Sequence, residues 1–174
     1  MYAFAADYIR FYALYTMGGI YLDSDVEVIR PFDDLLDRKE FVGEEYGGDV
    51  EAAVIGSVPG NRWIKECLDY YSNKPFIKND GTMDLRPVPL LVSEMAAKHN
   101  IEVLPYDCFS PKNYITGLIS CSGSTYCIHH FDGKWLSKGT LYEIKKICHK
   151  ALFYLFGRNG HNRLIKLFRS GRFN

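Results

Sequence analysis

The sequence predicts an α/β domain. Segments with apolar residues at helical spacing alternate with short apolar or alternating bursts, and Gly, Pro and Asn clusters mark the junctions. No internal repeat or low-complexity linker interrupts this pattern. A chain of 174 residues, 47% hydrophobic and 24% charged, can bury a substantial core, and its length suits one domain.

From Ala3 to Met17 the residues Phe4, Tyr8, Phe11, Leu14 and Tyr15 recur at three- and four-residue intervals, which predicts a helix that Gly18-Gly19 ends. Ile20-Tyr21-Leu22 is too short for a helix and predicts a buried strand running into Asp23-Ser24-Asp25, with Val26 to Ile29 following before Arg30-Pro31. Phe41 to Tyr46 and Ala52 to Ile55 read as short strands, and Trp63 to Tyr71 as a helix introduced by the turn-forming Pro59-Gly60-Asn61. Leu90 to His99 reads as a helix, Ile101 to Leu104 as a strand, Cys108 to Tyr114 as a loop, and Thr125 to Phe131 as an alternating strand. From Leu141 onward one or two basic amphipathic helices are expected, broken near Gly157 to Gly160. The expected organisation is a catalytic-type domain over 1–139 and a basic helical tail over 140–174.

The formal net charge of zero conceals an asymmetry. After residue 139 the only acidic side chain is Glu143, against Lys145, Lys146, Lys150, Arg158, Arg163, Lys166, Arg169 and Arg172. Residues 1–139 therefore hold 13 basic and 20 acidic side chains of the 21 and 21 in the chain. An acidic body argues against nucleic-acid binding, which needs a basic footprint over the working face. The tail, with Leu152, Phe153, Leu155, Phe156, Leu164, Ile165, Leu167 and Phe168, could lie on an anionic membrane surface or pack against protein.

Five scattered cysteines, Cys67, Cys108, Cys121, Cys127 and Cys148, form no C-x-x-C pair and imply neither a disulfide framework nor a zinc site. No signal-type start and no long apolar run is present, so a cytoplasmic setting is expected, peripheral at the inner membrane face if the tail binds there. The 13 Tyr and 11 Phe suit either stacking on sugars or a dense aromatic core.

The chemistry concentrates near the start. In an extended backbone Asp23 and Asp25 leave on one face and Ser24 on the other, so two carboxylates converge. Convergent carboxylates repel unless a cation or donors compensate, and oxygen ligands of this kind suit Mg²⁺ or Mn²⁺. Such a cation can bridge a diphosphate and neutralise charge as a bond to a sugar breaks. An isolated D-x-D is equally a pair of strand-end turn caps; here it follows a helix bearing Asp7 and Arg10 at i and i+3. That pair could be an ordinary salt bridge, or could direct a carboxylate and a guanidinium at ribose, sugar or phosphate.

Taken together, Ala6-Asp7-Tyr8-Ile9-Arg10, Leu14-Tyr15 and Gly18-Gly19-Ile20-Tyr21-Leu22-Asp23-Ser24-Asp25 form a string that resembles the DXD-containing sugar transferases of glycosyltransferase family 32, which include capsular-polysaccharide-type enzymes. The resemblance continues through Pro31-Phe32-Asp33-Asp34-Leu35, Phe109-Ser110-Pro111-Lys112 and Ile128-His129-His130-Phe131-Asp132-Gly133-Lys134-Trp135, covering about residues 2–137. It implies a GT-A-like, Rossmann-like fold, a nucleotide-sugar donor (UDP- or GDP-linked), a divalent cation, retention of anomeric configuration, and a saccharide or lipid-linked saccharide acceptor. Asp7 and Arg10 match the positions that hold donor ribose and sugar. Asp23 and Asp25, with Ser24 between them, match the metal and diphosphate positions. His130, followed by an aromatic residue and then Gly133 and Trp135, matches the element that returns to the metal and diphosphate, and Lys134 there either balances phosphate charge or is solvated. Because His129 and His130 face opposite sides of a strand, one enters the site, and the expectation is His130.

Such enzymes usually carry an additional strand and helix before the Ala-Asp-Tyr helix, so the chain is expected to lack part of the base pocket. Leu85 to Leu91 stands where many relatives have a Gly-Pro step. The expected reaction has Asp23, Asp25 and His130 holding Mn²⁺ or Mg²⁺, Arg10 and Asp7 fixing the donor, and an acceptor hydroxyl attacking from the leaving-group face. The leaving phosphate oxygen takes the proton. The competing readings are a catalytically silent nucleotide-sugar-binding or subunit-interaction module, and a metal-dependent phosphotransferase. The last lacks any G-x-x-x-x-G-K-[ST] loop.

Overall fold

In a computed structural model the described residues are 2–46, 48–72, 86–114, 116–132, 147–157, 160, 161 and 163. Helix α1 spans Tyr2–Met17 and buries Phe11 and Leu14 on one stripe. It stops at Gly18, whose N–H bonds the Leu14 carbonyl at 3.0 Å and whose φ is +67°. A side chain there would also stand 2.6 Å from Pro59 Cδ and 2.9 Å from the Ser57 oxygen, so only glycine fits both the conformation and the approach.

Strands β1 (Gly19–Leu22), β2 (Val26–Val28), β3 (Glu40–Glu44) and β4 (Val50–Ser57) follow. Next come α2 (Arg62–Ser72), α3 (Val88–His99), β5 (Val103–Leu104), the single turn α4 (Tyr106–Phe109) and β6 (Cys127–His129). The main sheet has the order β1-β4-β3-β5: β4 pairs antiparallel with β1 and β3, and β3 pairs parallel with β5. β2 and β6 form a separate antiparallel ribbon. The result is a mixed α/β arrangement with one parallel pair. β1, expected to be buried, is a half-buried edge strand, because β4 alone pairs with it.

The main sheet is coated on both faces. Register partners Val42 and Ile55 join Phe11, Leu14, Trp63, Ile64, Leu91 and Val92 in a core under α1, α2 and α3. Their neighbours Phe41 and Val54 point the other way, into a second core with Leu35, Phe109, Tyr126 and Cys127. This alternation makes β4 buried along nearly its whole length. Cross-strand from Phe41 stands Gly56, where a Cβ would lie 2.2 Å from Phe41 Cε1, so the ring occupies the space a side chain would need.

The stretch expected to be a loop from Cys108 begins inside α4 and continues as an isolated bridge between Lys112 and Ile119. By backbone contacts the chain forms two compact units, Met1–Lys112 with Ile119–Phe131, and Asn113–Leu118 with Asp132–Asn174. In the second, residues 147–157 are helical, and His149 Nδ1 lies 3.0 Å from His161 Nε2. Leu164 to Phe168, Lys166, Arg169, Arg172 and Leu85 lie outside the described residues. Among the described residues no helix is long and apolar enough to cross a membrane.

Candidate functional site

The site begins with a buried arginine. Arg10, 7% exposed, leaves α1 beside Phe11 and is drawn inward by acceptors that only the folded chain supplies. Its Nη1 donates to the Ala52 carbonyl of β4 at 2.6 Å, and its Nη2 donates to Asp23 Oδ1 at 3.1 Å. The same nitrogen is 3.3 Å from Asp7 Oδ1, and the guanidinium lies 4.5 Å from the centre of the Tyr21 ring. The i, i+3 pair is therefore an ion pair, and one that reaches across to the first aspartate of the triplet. Asp23 Oδ1 also accepts from the Tyr21 hydroxyl at 2.7 Å, which leaves Oδ2 for a further partner.

Burial raises the Asp7 carboxyl from 3.8 to about 6, against the lowering effect of Arg10 and with a further increase from Asp23. Burial likewise pushes the Tyr21 hydroxyl well above the ordinary phenol range. Arg10 Nε is buried with no hydrogen-bond partner among the described residues.

Asp23-Ser24-Asp25 is a turn rather than an extended strand end. The Asp23 N–H bonds the Ala53 carbonyl at 2.9 Å as the last link to β4, and the Val26 N–H returns to the Asp23 carbonyl at 3.1 Å. This turn carries the chain from the main sheet to the ribbon and leaves Ser24 exposed. The two aspartates still converge, but the turn brings them together, not strand alternation. On the ribbon, Val26 is the register partner of His129, and the His130 N–H donates to the Asp25 carbonyl at 2.9 Å.

That register decides which histidine enters. His129 Nε2 lies 3.6 Å from Asp25 Oδ2, and its Nδ1 lies 3.5 Å from Glu51 Oε2. One ligand atom from each of Asp23, Asp25 and His129 falls within 4.8 Å of the others. His130, the histidine expected there, stands 2.8 Å from Glu27 Oε2 and outside this group. The rule that neighbours on a strand face opposite sides holds; which side faces the aspartates depends on pairing with β2, which the His129-His130 dipeptide does not encode. Lys134 and Trp135 lie outside the described residues.

Burial works to lower the His129 imidazole, but Glu51, Asp25 and Asp23 outweigh it and raise its pKa above the ordinary histidine value. Two carboxylates and an imidazole, half-buried and mutually close, are a donor set that suits Mn²⁺ or Mg²⁺. Arg10 pairs with Asp23, and His129 stands beside Asp25.

Glu51 and His129 are the functional candidates that sequence reasoning missed. Glu51 is wholly buried, inside the apolar run Val50-Glu51-Ala52-Ala53-Val54-Ile55. A carboxylate set among apolar strand residues is a signal that a partner waits there.

Comparison with known proteins gives a family match on the span that holds Asp7, Arg10, Asp23 and Asp25. No curated protein and no solved structure matches the chain. Residues 1–42 match the model of the family described as glycosyltransferase sugar-binding region containing DXD motif, so this segment is similar to the sugar-binding part of glycosyltransferases.

Proposed function

We propose that the chain is a metal-dependent, retaining glycosyltransferase of the family 32 type with a GT-A-like domain. It moves a sugar from a UDP- or GDP-linked donor to a saccharide or lipid-linked saccharide acceptor in surface polysaccharide synthesis. The observation that carries the reading is the convergence of Asp23, Asp25 and His129 next to the Asp7–Arg10–Asp23 ion-pair chain. Both aspartates lie in the segment that matches the sugar-binding family.

A Mn²⁺ or Mg²⁺ ion held by Asp23, Asp25 and His129 would neutralise the charge that grows on the departing nucleoside diphosphate. Arg10, tied to Ala52, Asp7 and Asp23, acts mainly by holding those carboxylates in place, since its two terminal nitrogens are already engaged. Asp7, paired with Arg10, would accept from donor hydroxyls. The acceptor oxygen bonds to the anomeric carbon as the bond from that carbon to phosphate breaks, and the acceptor's proton passes to the leaving phosphate oxygen.

Calorimetric titration with nucleoside diphosphates, with and without Mn²⁺, tests this reading. Mn²⁺-dependent binding in the native chain that is lost in the Asp23→Ala, Asp25→Ala double variant is expected. Binding that is indifferent to Mn²⁺ and survives the double variant would refute it. Metal-dependent binding with no sugar transfer to water or to any saccharide would instead favour the silent binding module.

A further inference from the structure

Glu51 is a charged residue in an unusual place. It sits on β4, fully excluded from solvent, with apolar residues on either side of it along the strand. Its Oε2 accepts from the Ser110 hydroxyl, itself fully buried, and its Oε1 has no hydrogen-bond partner among the described residues. The fold makes room for this carboxylate. Gly43 lies beside it on β3, where a Cβ would stand 3.2 Å from Glu51 Oε1 and 2.5 Å from Phe109 Cδ2.

Another buried atom without a hydrogen-bond partner among the described residues, His129 Nδ1, stands 3.5 Å from the other carboxylate oxygen, Oε2. A buried imidazole N–H and a buried carboxylate each lose their water on folding, and each is costly to leave unpaired. Among the described residues Glu51 is the acceptor that stands next to Nδ1, and pairing the two offsets that cost. The opposite ring nitrogen, Nε2, looks toward Asp25, which is 20% exposed at its side chain and so keeps access to water. A neutral imidazole has one proton to give. The wholly buried acceptor has the greater need of it, because Asp25 can be satisfied from solvent.

We infer that Glu51 is a positioning residue: by accepting the Nδ1 proton of His129 it fixes the ring in one tautomer and turns the Nε2 lone pair toward Asp23 and Asp25. Ser110 anchors the carboxylate from behind, giving the series Ser110, Glu51, His129, Asp25. The ring is further steadied by Phe131, whose centroid is 3.9 Å from that of His129. The arrangement is that of a carboxylate orienting a histidine whose other nitrogen is presented to a cation. The tautomer stands on the geometry alone, whereas the use of Nε2 as a ligand rests on the divalent-cation reading above.

Two measurements separate these. Imidazole ¹⁵N–¹H correlation spectra of the native chain, taken at alkaline pH without metal and assigned by loss of the signal in His129→Asn, report the tautomer directly. The Nδ1–H form is expected, and it should give way to a mixture in Glu51→Gln. A native ring in the Nε2–H form overturns the inference whatever the metal does. Mn²⁺ affinity is then measured by calorimetry for the native chain and Glu51→Gln, with a loss of about 10–100-fold expected. Equal affinities overturn the inference. If the native chain does not bind Mn²⁺, the cation reading fails, and the role of Glu51 is decided by the tautomer alone.

Discussion

Replacing Arg10 with Met tests whether the guanidinium is what keeps the carboxylates of this site tolerable in the fold. Met has similar length and no branch, so it fills most of the space and removes the charge. Three contacts disappear: to Ala52 O at 2.6 Å, to Asp23 Oδ1 at 3.1 Å and to Asp7 Oδ1 at 3.3 Å. Removing one partner from a buried ion pair costs about 3–5 kcal/mol, because the other charge is left uncompensated. Asp7 is 13% and Asp23 29% exposed at the side chain, so water screens part of the loss, and the lower end, about 3 kcal/mol, is expected. With a urea m-value of about 2 kcal/mol/M, that is a midpoint lowered by about 1.5 M.

The loss should also depend on pH. Burial already raises Asp7 to about 6, and Arg10 acts against that rise, so removing Arg10 lifts Asp7 higher still. Near pH 5 Asp7 is protonated and needs no counter-charge, whereas toward pH 8 its ionisation in the fold is opposed without Arg10, so the destabilisation should be smaller at the acid end. Urea unfolding of both proteins at the two pH values measures this. A loss below about 1 kcal/mol, in the range of an exposed pair, or one equal at both pH values, would show that Arg10 does not compensate these carboxylates in the fold.

Asp7→Asn should flatten one part of the pH–stability profile. A carboxyl raised in the folded state from 3.8 to about 6 adds stability that is fully present below the unfolded value and is lost as pH rises through 6. Chemical unfolding between these limits should therefore show a negative slope with pH in the native chain and a smaller one in Asp7→Asn. Gly56→Ala places a methyl 2.2 Å from Phe41 Cε1 in the second core. Overpacking of about 1–3 kcal/mol is expected, or a Tm lower by about 3–9 °C in thermal unfolding. Gly123→Ala, where a Cβ meets nothing within 4 Å, is the matched control and should leave Tm unchanged or slightly raised.

Local chemistry made much of this protein legible from its residues alone. Helical spacing from Ala3 to Met17 and the Gly18 stop correspond to α1, and the apolar runs correspond to β1, β3, β4, α2 and α3 within one to three residues at most ends. Asp7, Arg10, Asp23 and Asp25 were identifiable as one group because the string from Ala6 to Asp25 that carries them resembles the DXD-containing sugar transferases. The sequence also determined the mixed α/β class, since that depends on the order of short periodic segments.

What it could not determine depends on residues remote in the chain. The choice of His129 over His130 is made by the register of β6 on β2, and a shift by one residue would exchange them. The turn at Asp23-Ser24-Asp25 exists because β1 ends on β4 while β2 leaves for another sheet. Arg10 Nη1 is engaged because β4 brings the Ala52 carbonyl to it, and Glu51 meets His129 because β4 and β6 approach one another. Pairing of this kind is set by which buried surfaces fit across the sheets, and that free energy belongs to the assembled core rather than to any local segment.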